Sequence, residues 1–268
     1  MSRGATRYRG ERQSRRGPSD QSPSQSLGRL PSEEREPQAK IVPFKPMNKA
    51  QAHYVECLNE HRLTFALGPA GTGKTYVAAS IAAKMISDKE INHIILCRPA
   101  VEAEEHLGFL PGDLEEKLAP WVKPVITVLE ERLGKRRVAG MVQAGMISVI
   151  PFAFMRGHTF KDCFVLLDEA QNTTPSQMKL FLTRIGENST VSVNGDVTQS
   201  DIGSHDDHSG HNGLDTAIRL ARKFDIPAGI VNFRSEDVVR SEQCRMWAEA
   251  FEAEDTMIDQ TLPFLRAV

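Results

Sequence analysis

Cysteine is scarce: the 268 residues hold 4, and Cys57, Cys97, Cys163 and Cys244 form no C-x-x-C pair. That spacing excludes a zinc site and argues for a reduced, cytoplasmic setting. Cys97 and Cys163 stand in or beside apolar runs, where a thiol serves as a small hydrophobe. No apolar run approaches the roughly 18 residues of a membrane span, which excludes a membrane protein of the helical kind. The N-terminus carries charge but no apolar h-region, so it does not read as a secretory signal. Aromatic residues make up 6 % of the chain and are few outside the apolar runs. A surface that grips single-stranded nucleic acid is normally basic and rich in aromatics. No internal repeat is visible.

Residues 1–40 have almost no apolar side chains and are dominated by Arg, Ser, Pro, Gln, Gly and Glu. Such a stretch cannot bury enough surface to offset the entropy of ordering. It carries 9 Lys and Arg against 5 Asp and Glu, whereas residues 41–268 carry 24 against 30. A basic arm, taken as residues 1–44, therefore precedes an acidic body, residues 45–268. The arm reads as a contact for nucleic acid or a membrane surface, as a solvated tail, or as a misassigned start.

What is present is a pattern of short apolar runs alternating with helical stretches. Strands are expected at Leu63–Leu67, His93–Pro99, Met146–Phe152, Phe164–Asp168, Thr190–Asn194 and Ile226–Phe233. Helices are expected at Asn48–His61, Tyr76–Ser87, Leu114–Leu133, Thr174–Ile185 and Gly213–Lys223. Alternation of this kind implies right-handed crossovers, and hence an α/β fold: a mostly parallel central sheet between two helical layers. Ligands of such sheets sit at the carboxyl ends of the strands.

At the end of the first strand stands Gly68-Pro69-Ala70-Gly71-Thr72-Gly73-Lys74-Thr75, which fits G-x-x-x-x-G-K-[ST]. Strand, glycine turn and helix N-terminus together form an anion site, because backbone N–H groups and the helix dipole both favour negative charge. Lys74 adds a cation at the β- and γ-phosphates, and the Thr75 hydroxyl can sit on Mg²⁺. Four defined positions in the right local context leave little room for an accidental glycine turn.

Phe164-Val165-Leu166-Leu167-Asp168-Glu169 ends a buried strand in two carboxylates. Adjacent carboxylates at such a place are costly without a cation. A P-loop supplies one through Mg²⁺: Asp168 would hold the metal and Glu169 would polarise the attacking water. The alternative is a solvated strand end. An adjacent Glu argues for a hydrolase over a kinase or a Ras-like switch. Asp196 and Gln199 follow another strand and would flank the γ-phosphate, or form a plain Gly-Asp turn.

Three residues stay open on spacing alone. Arg240 is an arginine finger, in cis or across an interface, or a surface Arg paired with Glu236 or Asp237. Arg156 lines a phosphate channel or caps a strand end. Gln51 reads an adenine edge or faces solvent. His205, His208 and His211 with Asp206 and Asp207 could hold a metal, but the glycines around them argue for a polar loop.

The chain resembles the PhoH-like ATPases from about Asn48 to Phe251. The resemblance rests on Gly68–Thr75, Leu107–Asp113, Phe154–Gly157, Leu167–Thr173, Gln177–Gly186, Asn194–Gln199 and Glu236–Ser241. It implies a three-layer P-loop NTPase that is RecA-like, akin to the motor domain of superfamily 1 helicases. It implies ATP and Mg²⁺ as ligands, a homo-oligomer with a hexameric ring among the options, and a link to RNA metabolism. It also raises Arg240, Arg156 and Gln51 to expected site residues. The chain departs from the family pattern at Glu104, where many relatives have Gly, and across Asp201–Gly213. No PIN nuclease domain is expected, hence no RNase activity. The leading reading is an ATPase motor or remodeller acting on RNA or a ribonucleoprotein. Its rival is a nucleotide-dependent regulatory or assembly factor that switches protein contacts and binds no strand.

Overall fold

The computed structural model describes residues 44–99, 114–196, 212–247, 249–251 and 253–254. In chain order the elements are α1 Lys49–Glu60, β1 Leu63–Leu67, α2 Lys74–Ser87, β2 His93–Cys97, α3 Leu114–Leu133, α4 Lys135–Gln143, β3 Ile147–Val149, β4 Cys163–Leu167, α5 Pro175–Leu182, β5 Thr190–Gly195, α6 Gly213–Lys223 and β6 Gly229–Asn232. The six strands form one sheet in the order β3-β2-β4-β5-β1-β6. Every pairing is parallel, which is stricter than the mostly parallel sheet expected.

The order matters for chemistry. Strand β5 lies between β1 and β4, so the P-loop strand and the carboxylate strand flank it on either side. In register, Leu67 sits opposite Gly195 and Asn232, while Leu167 sits opposite Val193 and Cys97. All six carboxyl ends therefore open on one edge, and the residues following β1, β4, β5 and β6 converge there.

Side-chain alternation along the strands divides the core. Ala66, Ile94, Leu96, Phe164 and Leu166 face α1, α2, α3 and α4, packing with Leu58, Val77, Ile81 and Leu129. Phe65, Leu67, Val165, Leu167, Val191 and Val193 face α5 and α6, packing with Met178, Phe181, Leu214 and Ile218. Two apolar faces on one sheet make the three-layer arrangement. Helix α2 is buried from Val77 through Ala83 because small Ala side chains let it lie close against the strands. Phe181, fully buried, contacts both Phe152 and Phe160; its loss would cost about 3–5 kcal/mol.

Local chemistry sets the boundaries. Asn48 caps α1 by accepting from Gln51 N–H. Thr174 and Gln177 form a capping box on α5, with Pro175 at its first turn. Two expected strands come out shorter. The Met146–Phe152 run pairs only at Ile147–Val149, since Pro151 cannot donate and Phe152–Phe154 tightens into a 3₁₀ turn. The Ile226–Phe233 run pairs at Gly229–Asn232, beyond Pro227. Helix α4 was not expected; its charged start, Lys135-Arg136-Arg137, and Gly140 mask the apolar positions Val138 and Met141.

Candidate active site

A cleft of about 840 Å³ opens at the carboxyl edge of the sheet. The P-loop forms its floor. Gly71 and Gly73 take positive φ, 86° and 87°, a conformation that side chains with a Cβ resist. Gly73 is also hemmed in: a Cβ there would stand 2.8 Å from the Gln51 amide nitrogen. Helix α2 starts at Lys74, so its free N–H groups point into the cleft. Lys74 Nζ donates to the carbonyls of Gly68 at 2.6 Å and Pro69 at 2.9 Å. Burial pushes the Lys74 ammonium below its ordinary value, opposed by the carboxylates of Asp196, Asp168 and Glu169.

Across the sheet, Thr75 Oγ1 donates to both oxygens of Asp168, at 3.2 and 3.1 Å. Burial holds the Asp168 carboxyl above its ordinary value, and the adjacent Glu169 raises it further; Thr75, Arg98 and Lys74 act the other way. A carboxylate and a hydroxyl side by side, beneath a phosphate site, are the hard oxygen donors that Mg²⁺ takes. The residues thus fit the metal.

Glu169 is in the left-handed region, φ 55°, strained for a side chain of its size by about 1–2 kcal/mol. Its carboxylate has two neighbours. Arg98 Nη2 lies 3.6 Å from one oxygen, and Gln171 Nε2 donates to the other at 2.9 Å. Gln171 Oε1 in turn accepts from Asp196 N–H at 3.0 Å. One amide thereby ties the end of β4 to the end of β5. Neither Arg98 nor Gln171 was picked out from sequence. Arg98 carries the signal of a cation just past a buried strand that pairs with β4. Gln171 stands three residues beyond Asp168, a spacing that says nothing until the 3₁₀ turn Ala170–Asn172 folds it back.

Gln51 is buried against the loop. Its Oε1 accepts from Met47 N–H at 2.9 Å and its Nε2 donates to Thr72 O at 3.0 Å. It lines the cleft, and much of its amide is engaged within the chain. One helical turn on, the Tyr54 hydroxyl joins Ser192 and donates to Asn194 Oδ1 at 2.7 Å. Burial pushes that phenol well above its ordinary value, so it stays a donor. Arg240 reaches the loop of its own chain: a Cβ on Gly71 would lie 3.1 Å from the Arg240 side chain, and Val239 N–H donates to Gly71 O. Glu236 has its ion-pair contact with Arg234. Arg156 does not line this cleft; it is exposed beyond the Phe152–Phe154 turn, next to exposed Phe154. Gln199, the Leu107–Asp113 segment and His205, His208 and His211 lie outside the described residues. Among the described residues no group of three or more His, Cys, Asp or Glu could hold a metal, and no helix is long and apolar enough to cross a membrane.

The model of the family described as PhoH-like protein matches residues 43–252. Protein PhoH of Escherichia coli K12 is 44 % identical over 211 residues, 78 % of this chain and 58 % of that one. The PhoH-like protein of Mycobacterium tuberculosis H37Rv is 44 % identical over 197 residues, 74 % of this chain and 54 % of its own. That of Bacillus subtilis 168 is 40 % identical over 217 residues, 81 % and 66 %. The matched region thus spans little more than half the length of the first two relatives. Among solved structures, the large terminase from a thermophilic bacteriophage aligns at a TM-score of 0.44 with 12 % identity, over 75 % of this chain and 49 % of that one. The fold is an α/β one with a P-loop at the edge of a six-stranded parallel sheet, and the chain belongs to the PhoH-like protein family.

Proposed function

We propose that residues 45–268 form an ATPase in which ATP hydrolysis drives a motor or remodelling step on RNA. One observation carries the hydrolytic part: Thr75, Asp168 and Glu169 meet beside the P-loop, with Glu169 held in a strained backbone by Gln171. Loop N–H groups from Ala70 through Thr75 bind the phosphates, and Lys74 turns its ammonium from the loop carbonyls onto the β- and γ-oxygens. Thr75 and Asp168 would hold Mg²⁺, which would supply positive charge to the phosphates. Glu169 accepts a proton from water as the water oxygen bonds to the γ-phosphorus. The bond from that phosphorus to the bridging oxygen breaks, and ADP and phosphate leave. Arg240, lying on the P-loop in cis, places a cation beside the charge that develops. Asp196 lines the cleft as well, and Gln199 is assigned the sensing of the γ-phosphate.

Glu169→Gln should retain ATP binding while kcat falls by about 10²–10⁴; turnover at the wild-type rate would remove Glu169 as the base. Mixing inactive Arg240→Ala and Lys74→Ala subunits separates cis from trans, and the cis placement expects no recovery.

The RNA part rests on the exposed turn that presents Phe154, Arg156 and His158, an aromatic with basic neighbours. Single-stranded RNA at low salt should stimulate turnover, and Arg156→Ala should blunt the effect. Unchanged turnover would favour the regulatory reading, to which the acidic balance of residues 41–268 lends support.

A further inference from the structure

The two ends of the cleft differ, and the order of phosphates along a P-loop assigns them. The γ-phosphate lies toward Lys74, Asp168 and Glu169, and the α-phosphate toward the start of α2. The nucleoside therefore continues past Thr75 and Tyr76, away from the carboxylates. What waits there is flat and apolar. The Phe44 and Tyr76 rings lie 6.0 Å apart, and the Arg132 guanidinium stands 5.7 Å from the first centroid and 5.4 Å from the second. Met47, 72 % exposed, and Pro124 line the same end. Arg132 Nη2 donates to the Tyr76 hydroxyl at 3.1 Å, and that hydroxyl donates to Glu131 at 2.7 Å. Both contacts fix the ring and guanidinium in place before any ligand arrives.

Resting on the nucleotide-binding reading above, we propose that this Phe44–Tyr76–Arg132 cluster is the base subsite, and that it selects purine over pyrimidine nucleoside triphosphates by stacking. Stacking supplies the purine preference, since a larger π-face covers more of the cluster. The Gln51 amide orientation is set by the chain itself, since Met47 N–H can only donate and Thr72 O can only accept; each end of the amide keeps one further hydrogen-bonding position.

The test is equilibrium binding of ATP, GTP, CTP and inorganic tripolyphosphate, each with Mg²⁺, to the full chain and its variants. Kd for CTP should be about ten-fold weaker, or more, than for ATP. Phe44→Ala should weaken ATP and GTP alike by about ten-fold, the order of one lost aromatic stack, and leave tripolyphosphate unchanged. Phe44→Leu, which keeps apolar volume but loses the π-face, should do the same; Phe44→Tyr should restore binding. The proposal is overturned by CTP binding as tightly as ATP, by ATP binding that Phe44→Ala and Phe44→Leu leave intact, or by equal losses of ATP and tripolyphosphate. If tripolyphosphate binds and no nucleoside triphosphate binds more tightly, the base subsite fails while the phosphate site stands. If none of the four binds, the nucleotide reading itself fails, and the subsite with it.

Discussion

The phosphate end and the base end of the cleft are built by opposite means. Eight consecutive residues make the first, mostly through backbone N–H groups whose direction is set by glycines at positive φ. The second is assembled from Phe44, Tyr76 and Arg132, separated by 32 and 56 positions and brought together by the packing of α2 against α3. A backbone device needs contiguity, because a loop can curl around an anion only with its own neighbouring amides. A stacking device needs flat surfaces at one place, whatever their order in the chain. The contrast predicts that phosphate-end changes damage every ligand bearing a triphosphate, whereas base-end changes damage only those bearing a base.

Lys74→Ala puts the strongest pressure on that contrast. It should cost about 100-fold or more in affinity for ATP and tripolyphosphate equally, as one charge-assisted contact to phosphate is lost in a buried site; titration calorimetry would read both. A loss confined to ATP would break the division. Gln171→Ala comes next. It removes the tie between Glu169 and the end of β5, so kcat should fall about 10-fold while Kd for ATP holds, the pattern of a residue that positions another. Gln51→Ala probes the junction of the two ends, since its amide bonds the P-loop at Thr72 and borders the base subsite. Losing about one hydrogen bond should weaken ATP and tripolyphosphate together by about 2–10-fold; weakening of ATP alone would move Gln51 into the base subsite.

The smallest effect is on stability. Burial and Glu169 raise the Asp168 carboxyl in the folded chain above its ordinary value of 3.8. Ionisation is therefore penalised on folding: the cost is absent below the unfolded value, grows as pH rises toward the folded one, and is full above it. Asp168→Asn should accordingly raise the Tm of nucleotide-free protein at neutral pH, by about 2–4 °C for each kcal/mol relieved, with the gain shrinking as pH falls from the folded value toward 3.8 and absent below it. The same variant should lose Mg²⁺-dependent turnover. A lower Tm at neutral pH would mean that the Thr75 contact outweighs burial.

Much of the fold was legible. Helix α1, strand β1 and helices α3 and α6 fall within one residue of their expected limits, because capping residues and apolar runs are local signals. Failures came where a distant contact or a missing donor decides, as at β3 and β6, or where charge hides a short apolar face, as in α4. At the site, Lys74, Thr75, Asp168 and Glu169 were readable as motifs, and they do meet. Arg98 and Gln171 were not, for each matters only through a neighbour on another strand. Arg240 was open between a finger and a surface pair on spacing alone, and only the resemblance raised it; the bond from Val239 N–H to Gly71 O sets its backbone beside the P-loop of the same chain.

The sequence by itself determined the anion-binding loop, the carboxylate pair and the parallel sheet, since each depends on residues close together in the chain. Only the tertiary structure decided that β5 separates β1 from β4, that Gln171 joins the loops after β4 and β5, and which way the Gln51 amide points. Those are contacts between residues 20 or more positions apart, and no local propensity encodes them.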